Sequence, residues 1–244
     1  MAPLRAALLV VSACAAAAQR TTGSVYYDAG QGTYSFKSGV LDPAAVAWGS
    51  STDMAGTASG FGQLTITTNK ASPDAVQMMG AGYLEGSLTT TRISSHYVNV
   101  GAWIRGQFKG GVIPQTVIDF FSTQDAWARA NVAANTSSPV WRATGLVTAQ
   151  LDGLISGYNA NAANVGAPQL TQFQFQQMNA IGDLLDLIPA LKVEGAPEWT
   201  KMSDEELMDR VRKTTHCSAL VKVNGDLSEL FFSHAAWFIY TGSE

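Results

Sequence analysis

Cysteine usage constrains this chain more than any other feature, because it removes one whole way of holding an exported fold together. The first residues read as an export leader. Arg5 gives the positive start, Ala6 to Ala18 is an apolar run, and Ala16 and Ala18 form a small-x-small cleavage site before Gln19. The run is shorter than the roughly 20 residues that span a bilayer, so residues 1–18 are expected to be removed rather than kept as an anchor or a buried helix. Of the two cysteines, Cys14 leaves with the leader and only Cys217 remains. No disulfide can then form within the mature chain, and packing alone must stabilise it. A lone cysteine in an exported protein is open to three readings: a buried inert thiol, a link to another chain, or a reactive nucleophile.

Composition fits a packed globule. Hydrophobic residues make up 46% of the 244 and charged residues 14%. The length suits one large domain or two small ones. A net charge of −4 argues against a nucleic-acid partner, and no basic amphipathic run marks a membrane-surface helix. After the leader no stretch is apolar enough to expect a transmembrane segment. The histidines are His96, His216 and His234. With no Cys-x-x-Cys or His-Glu-x-x-His spacing, no metal site is expected. Phosphate-binding, dinucleotide and Gly-x-Ser-x-Gly patterns are absent as well. Asn135-Thr136-Ser137 is an N-glycosylation sequon.

Periodicity predicts a mixed chain. Residues 23–36 read as extended with glycine turns, and 60–68 as a strand with Leu64 and Ile66 on one face. Residues 74–90 read as a helix, and Gly80, Gly82 and Gly86 within it predict close packing against other backbone. A helix is expected over 139–158, with Val147, Leu151, Leu154, Ile155 and Tyr158 as its core stripe. Another runs from Phe173 through Ile188 and stops at Pro189. Residues 201–213 are dense in charge, and Ser203-x-x-Glu206 is a capping box, so a short exposed helix is expected. Then Cys217 opens a β-prone stretch to Val223, Asn224-Gly225-Asp226 signals a turn, and 229–234 is β-prone again. This reads as a buried hairpin whose first strand begins at the lone cysteine.

Four ordered blocks carry a resemblance. They are His216 to Lys222 with Leu230 to Trp237 and Tyr240; Gly60 to Thr68 with Asp74, Gln77 and Ala81 to Gly86; Trp141 with Ala149 to Gly153 and Gly157-Tyr158; and Gly182-Asp183 with Asp186 to Leu191. Together they resemble the phospholipase B-like, or laminin ancestor-like, family from about Gly23 onward. The resemblance implies an α+β fold of the N-terminal-nucleophile (αββα sandwich) hydrolase type. It implies a precursor that cuts itself between His216 and Cys217, giving residues 19–216, with an exposed charged linker at 200–216, and a second chain starting at 217. It also implies Cys217 as nucleophile, His234 as a site residue and Trp237 as a wall of the substrate site. The substrate is expected to be a phospholipid ester, or alternatively an N-acyl or peptide-like amide. The destination is secreted or lysosomal.

The chemistry agrees with that carry-over. A freed α-amino group has a pKa of about 7.7–8.0, suited to act as a base near neutrality. Cleavage gives Cys217 its own base, so no cofactor is needed. The self-cleavage begins when the Cys217 thiol attacks the His216 carbonyl carbon. The C–N bond breaks as the C–S bond forms, and water then hydrolyses the thioester. Two departures qualify the match. Ala235 and Ala236 stand where the family commonly has hydroxyl residues. The chain also ends at residue 244, which predicts a truncated product or incomplete gene model, stopping after the first hairpin of the nucleophile-bearing part. In that case the preceding segments have little sheet to pack on, the hairpin edge invites aggregation, and the alternative is a non-catalytic secreted module.

Overall fold

The computed structural model describes residues 20–53, 60–194, 198–214 and 217–236. The expected leader, His216 and Trp237 lie outside them. The first elements are β1 (Arg20–Asp28), β2 (Thr33–Ser38), β3 (Ala47–Thr52), β4 (Gln63–Thr68) and α1 (Asp74–Leu88). They are followed by α2 (Thr90–Gly106), α3 (Gln115–Ala134), α4 (Pro139–Ala162), α5 (Gln172–Asn179), α6 (Asp183–Ala190) and α7 (Asp204–Thr214). The last two are β5 (Cys217–Val223) and β6 (Leu230–Ala236). The chain is therefore α+β, as its sequence pattern implies. It divides into two compact units, one of Met1–Thr89 with Ala149–Gly157, the other of Thr90–Thr148 with Tyr158–Glu244.

The first unit is a four-stranded antiparallel sheet, in the order β2-β1-β3-β4, covered by α1. The turn from β1 to β2 is held by Asp28, whose Oδ1 accepts from the N–H groups of Gly30 and Gln31. Gly32 closes that turn at φ 66°, a left-handed conformation that costs glycine nothing sterically. Val25, Val46, Ala47 and Leu84 form the core between sheet and helix, flanked by Tyr34, Phe36, Ile66 and Val76. Burying a side chain such as Leu84 stabilises the unit by about 1.5–3 kcal/mol. This sheet corrects the expectation that residues before Cys217 have little sheet to pack on. Leu64 and Ile66 lie two apart on edge strand β4 and so share a face, as expected; Ile66 packs on the core, whereas Leu64 is exposed.

The central stretch of α4 packs against α1 with almost no space between the two backbones. A Cβ on Gly82 would lie 1.9 Å from the Gln150 carbonyl oxygen, and one on Gly153 would lie 2.1 Å from that of Met79. One on Gly157 would lie 2.0 Å from the Tyr83 carbonyl oxygen. Only glycine fits such approaches. Pieces of two of the sequence blocks, Ala81 to Gly86 from one and Ala149 to Gly153 with Gly157 from another, thus meet at this one contact. Across this contact the Ser87 hydroxyl donates to the Gly157 carbonyl at 3.4 Å.

The second unit has a helical core. Val100 and Ile104 of α2, Phe108, Val117 of α3, Leu184 of α6 and Val193 are all buried together. Tyr158 and Phe175 meet edge to face at 5.5 Å, and the Tyr158 hydroxyl donates to the Pro168 carbonyl. Asn159 clamps Leu170 through both ends of its amide, each at 2.9 Å.

Several helix expectations are corrected here. Residues 173–188 form two helices, because the first ends at the Ala180 cap and the second starts only at Asp183. Pro189 lies inside α6 rather than stopping it; it sits in the last turn, where few bonds follow it. Val147 is 64% exposed. It lies about 200° round α4 from Gly145 at 3.6 residues per turn, and Gly145 is the residue packed on Val132 of α3.

Candidate functional site

The sequence points to the β5–β6 hairpin, and its register decides which side chains share a face. Cys217 pairs with Ala236 and Ala219 with His234. Directly opposed residues of an antiparallel pair point to the same side, as do residues two apart on one strand. One face therefore carries Cys217, Ala219, Val221 and Val223 with Leu230, Phe232, His234 and Ala236. Cys217 and His234 are diagonal neighbours on it, a relation that sets residues about 7–8 Å apart, within reach of an imidazole. They are the only two chemically reactive side chains on that face. Cys217 is a free, exposed thiol at the first residue of its strand.

The hairpin is exposed along both strands, not buried as expected. Phe232 is 82% and Val221 69% exposed. The turn is longer than its Asn-Gly pair suggests. Asn224 N–H donates to the Glu229 carbonyl, Ser228 closes on the Asp226 carboxylate, and Leu227 adopts φ 60°. That left-handed conformation costs a non-glycine residue about 1–2 kcal/mol.

Helix α7 ends three residues before Cys217. Its capping box forms as the sequence spacing predicts: Ser203 N–H donates to the Glu206 carboxylate at 2.8 Å, and Glu206 N–H donates to the Ser203 hydroxyl. These bonds hold the Glu206 carboxyl below the usual glutamate range. The helix is exposed over most of its length, as expected for the charged linker.

Asn135 caps the C-terminal end of α3, with Thr136 and Ser137 exposed in the turn before α4. His96 is half-buried on α2, far in sequence from the other two histidines. Among the described residues, no group of three or more His, Cys, Asp or Glu is arranged to hold a metal ion, and no helix is long and apolar enough to cross a membrane. One carboxylate escaped notice in the sequence. Glu85, inside the glycine-rich stretch of α1, is half-buried. Burial raises its carboxyl above the usual glutamate range, against a hydrogen bond from Gln150 that lowers it. The only sequence signal was an acid set among glycines and apolar residues.

The chain is thus α+β, with a free thiol at the start of a strand and a histidine on the same face of its hairpin. Comparison with known proteins makes the assignment narrower. The sequence model of the family described as Phospholipase B matches residues 47–243. The chain is 36% identical over 228 residues to a phospholipase B of Crotalus adamanteus, covering 90% of this chain and 39% of that protein. It is 35% identical over 204 residues to phospholipase B-like 1 of Rattus norvegicus, covering 82% and 35%. It is 38% identical over 184 residues to phospholipase B-like 1 of Bos taurus, covering 74% and 32%. The chain belongs to the phospholipase B family. It spans between about a third and two-fifths of the length of these curated relatives.

Proposed function

We propose that this chain is the front part of an exported acyl hydrolase that matures by cutting itself between His216 and Cys217. Residues 1–18 direct export, with a lysosomal or extracellular destination, and Asn135 is glycosylated on the way. Residues 19–216 and the chain beginning at Cys217 remain together as a two-chain assembly with the N-terminal-nucleophile architecture. The free thiol of Cys217 then attacks the acyl carbon of a phospholipid ester. Its own α-amino group takes the thiol proton and returns one to the leaving alcohol. Water hydrolyses the thioester and frees the fatty acid. His234 orients the thiol or donates to the acyl oxygen, and Trp237 lines the substrate site.

The observation that carries this reading is the hairpin register, in which Cys217 opens β5 and shares a face with His234. The names of the relatives, phospholipase B and phospholipase B-like, favour an ester of a phospholipid as substrate. The experiment is a side-by-side assay of a diacyl phospholipid and an N-acyl amide, with the longest product of this gene that can be secreted. Release of fatty acid from the phospholipid, abolished in His234→Ala and Cys217→Ala, is the expected result. Release from the amide alone makes the protein an amidase. Release from neither, by a protein that is cleaved at Cys217, makes it a non-catalytic member.

A further inference from the structure

We propose that the glycan on Asn135 folds back along α3 and covers the exposed Trp127 and its half-buried partner Trp141, so that this aromatic patch is a binding site for the protein's own sugar. The proposal rests on the export proposed above. Trp127 is 53% exposed, so a broad indole face lies open on α3. Its ring meets that of Trp141 edge to face at 5.4 Å, which holds both rings in fixed orientation.

The sequon lies on the same stripe of the helix. Trp127, Asn131 and Asn135 follow at intervals of four, so they stack along one face, about 12 Å from first to last. A ladder of side-chain bonds marks that stripe: Asn131 Nδ2 donates to the Trp127 carbonyl, and Asn135 Nδ2 donates to the Asn131 carbonyl, both at 2.9 Å. The acceptor nitrogen of glycosylation is therefore directed back along α3 at Asn131, one turn from Trp127 on the same stripe. Asn135 Nδ2 also makes a longer contact of 3.4 Å to Asn131 Oδ1. Glycosylation replaces one of its two hydrogens, so that contact is given up while the shorter one persists.

The chemistry balances. The anomeric carbon of a lipid-linked oligosaccharide diphosphate, the donor met during export, bonds to Nδ2. Its bond to the diphosphate oxygen breaks, and the amide proton leaves with the diphosphate. The apolar C–H face of the first sugar rings then meets the electron-rich indole faces, the arrangement that aromatic quadrupoles favour.

The test uses the secreted chain carrying ¹⁵N-labelled tryptophan. Intact mass first establishes the glycan, with Thr136→Ala as the reference that keeps Asn135 but lacks the sequon. Trp127→Phe and Trp141→Phe assign the two indole N–H resonances. The expected result is that both resonances differ between the glycosylated protein and Thr136→Ala, while those of Trp48, Trp103 and Trp199 coincide. Trimming the folded glycoprotein to one sugar with an endoglycosidase moves the two resonances toward the Thr136→Ala positions without any change of sequence. A glycan present by mass with unmoved indole resonances overturns the stacking. A secreted chain with no added mass overturns the modification itself, and a chain that never reaches the medium overturns the export on which both rest.

Discussion

At the scale of single residues, two carboxylates show how the same chemical group acquires opposite roles. Asp42 accepts from the Tyr26 hydroxyl at 2.7 Å and from the Ala44 N–H. Those two bonds, the tyrosine first, hold it below the usual aspartate range. Its ionised form is the one the fold prefers. Glu85 is the reverse. Burial lifts its carboxyl, so the neutral acid is the form that suits α1. A carboxyl whose folded pKa is raised contributes stability below its unfolded pKa, and loses that contribution as pH rises through the folded value. Glu85→Gln, which keeps the amide-like shape without the charge, is expected to match wild type in melting temperature near pH 4 and to exceed it near pH 7. Thermal melts of both proteins at the two pH values check this; an offset that is the same at both contradicts it.

At the scale of elements, the α1–α4 contact explains why the glycine-rich blocks recur where they do. Methyl groups there meet carbonyl oxygens of the neighbouring backbone, which cannot swing away as a side chain can. Gly153→Ala is expected to cost about 1–3 kcal/mol, as overpacking does. Gly106, at the end of α2, has open space around its Cβ position. Alanine there is expected to be neutral or to add about 0.4–1 kcal/mol through the unfolded chain. Urea unfolding of the two variants beside wild type separates the contact from any general effect of removing glycine. The close packing was legible in part: of the three glycines that implied a backbone neighbour, Gly82 meets the α4 backbone, whereas Gly80 faces the Val46 side chain. Strand β3, by contrast, gave no signal. Ala47, Gly49, Ser50 and Ser51 are small and mostly polar, and it is pairing with β1 and β4 that makes them a strand. Helix α2 starts with two threonines and contains Ser94, Ser95 and Gly101, all poor helix formers, so its helicity comes from burying Val100 and Ile104. The break between α5 and α6 was hidden because apolar residues continue at helical spacing straight across it.

At the scale of the whole molecule, the α1-covered sheet and the helical core are packed, whereas the hairpin carrying the candidate nucleophile is exposed on both faces. The candidate site was legible as far as local pairing reaches. A β-prone run, a turn and a second β-prone run predict the hairpin, and the structure adds the register that sets Cys217 and His234 on one face. What the sequence did not disclose is what lies over that face, because long-range packing is not written in a local pattern. An isolated two-stranded sheet is marginal in water, and an apolar one offers itself to other chains. Phe232→Asp, a charge at the most exposed ring of that face, is expected to lower self-association of the 244-residue chain in sedimentation velocity. Unchanged association contradicts a role for the hairpin in it. Release of Cys217 as a new N-terminus by its own chemistry is open to one decisive measurement: intact mass with N-terminal sequencing of the secreted protein, with Cys217→Ala alongside and with the longest product of the gene included. The expected result is a fragment beginning at Cys217 in the wild type and none in the variant. A longest product that stays uncut at both acidic and neutral pH, or a variant cut at the same bond, contradicts it.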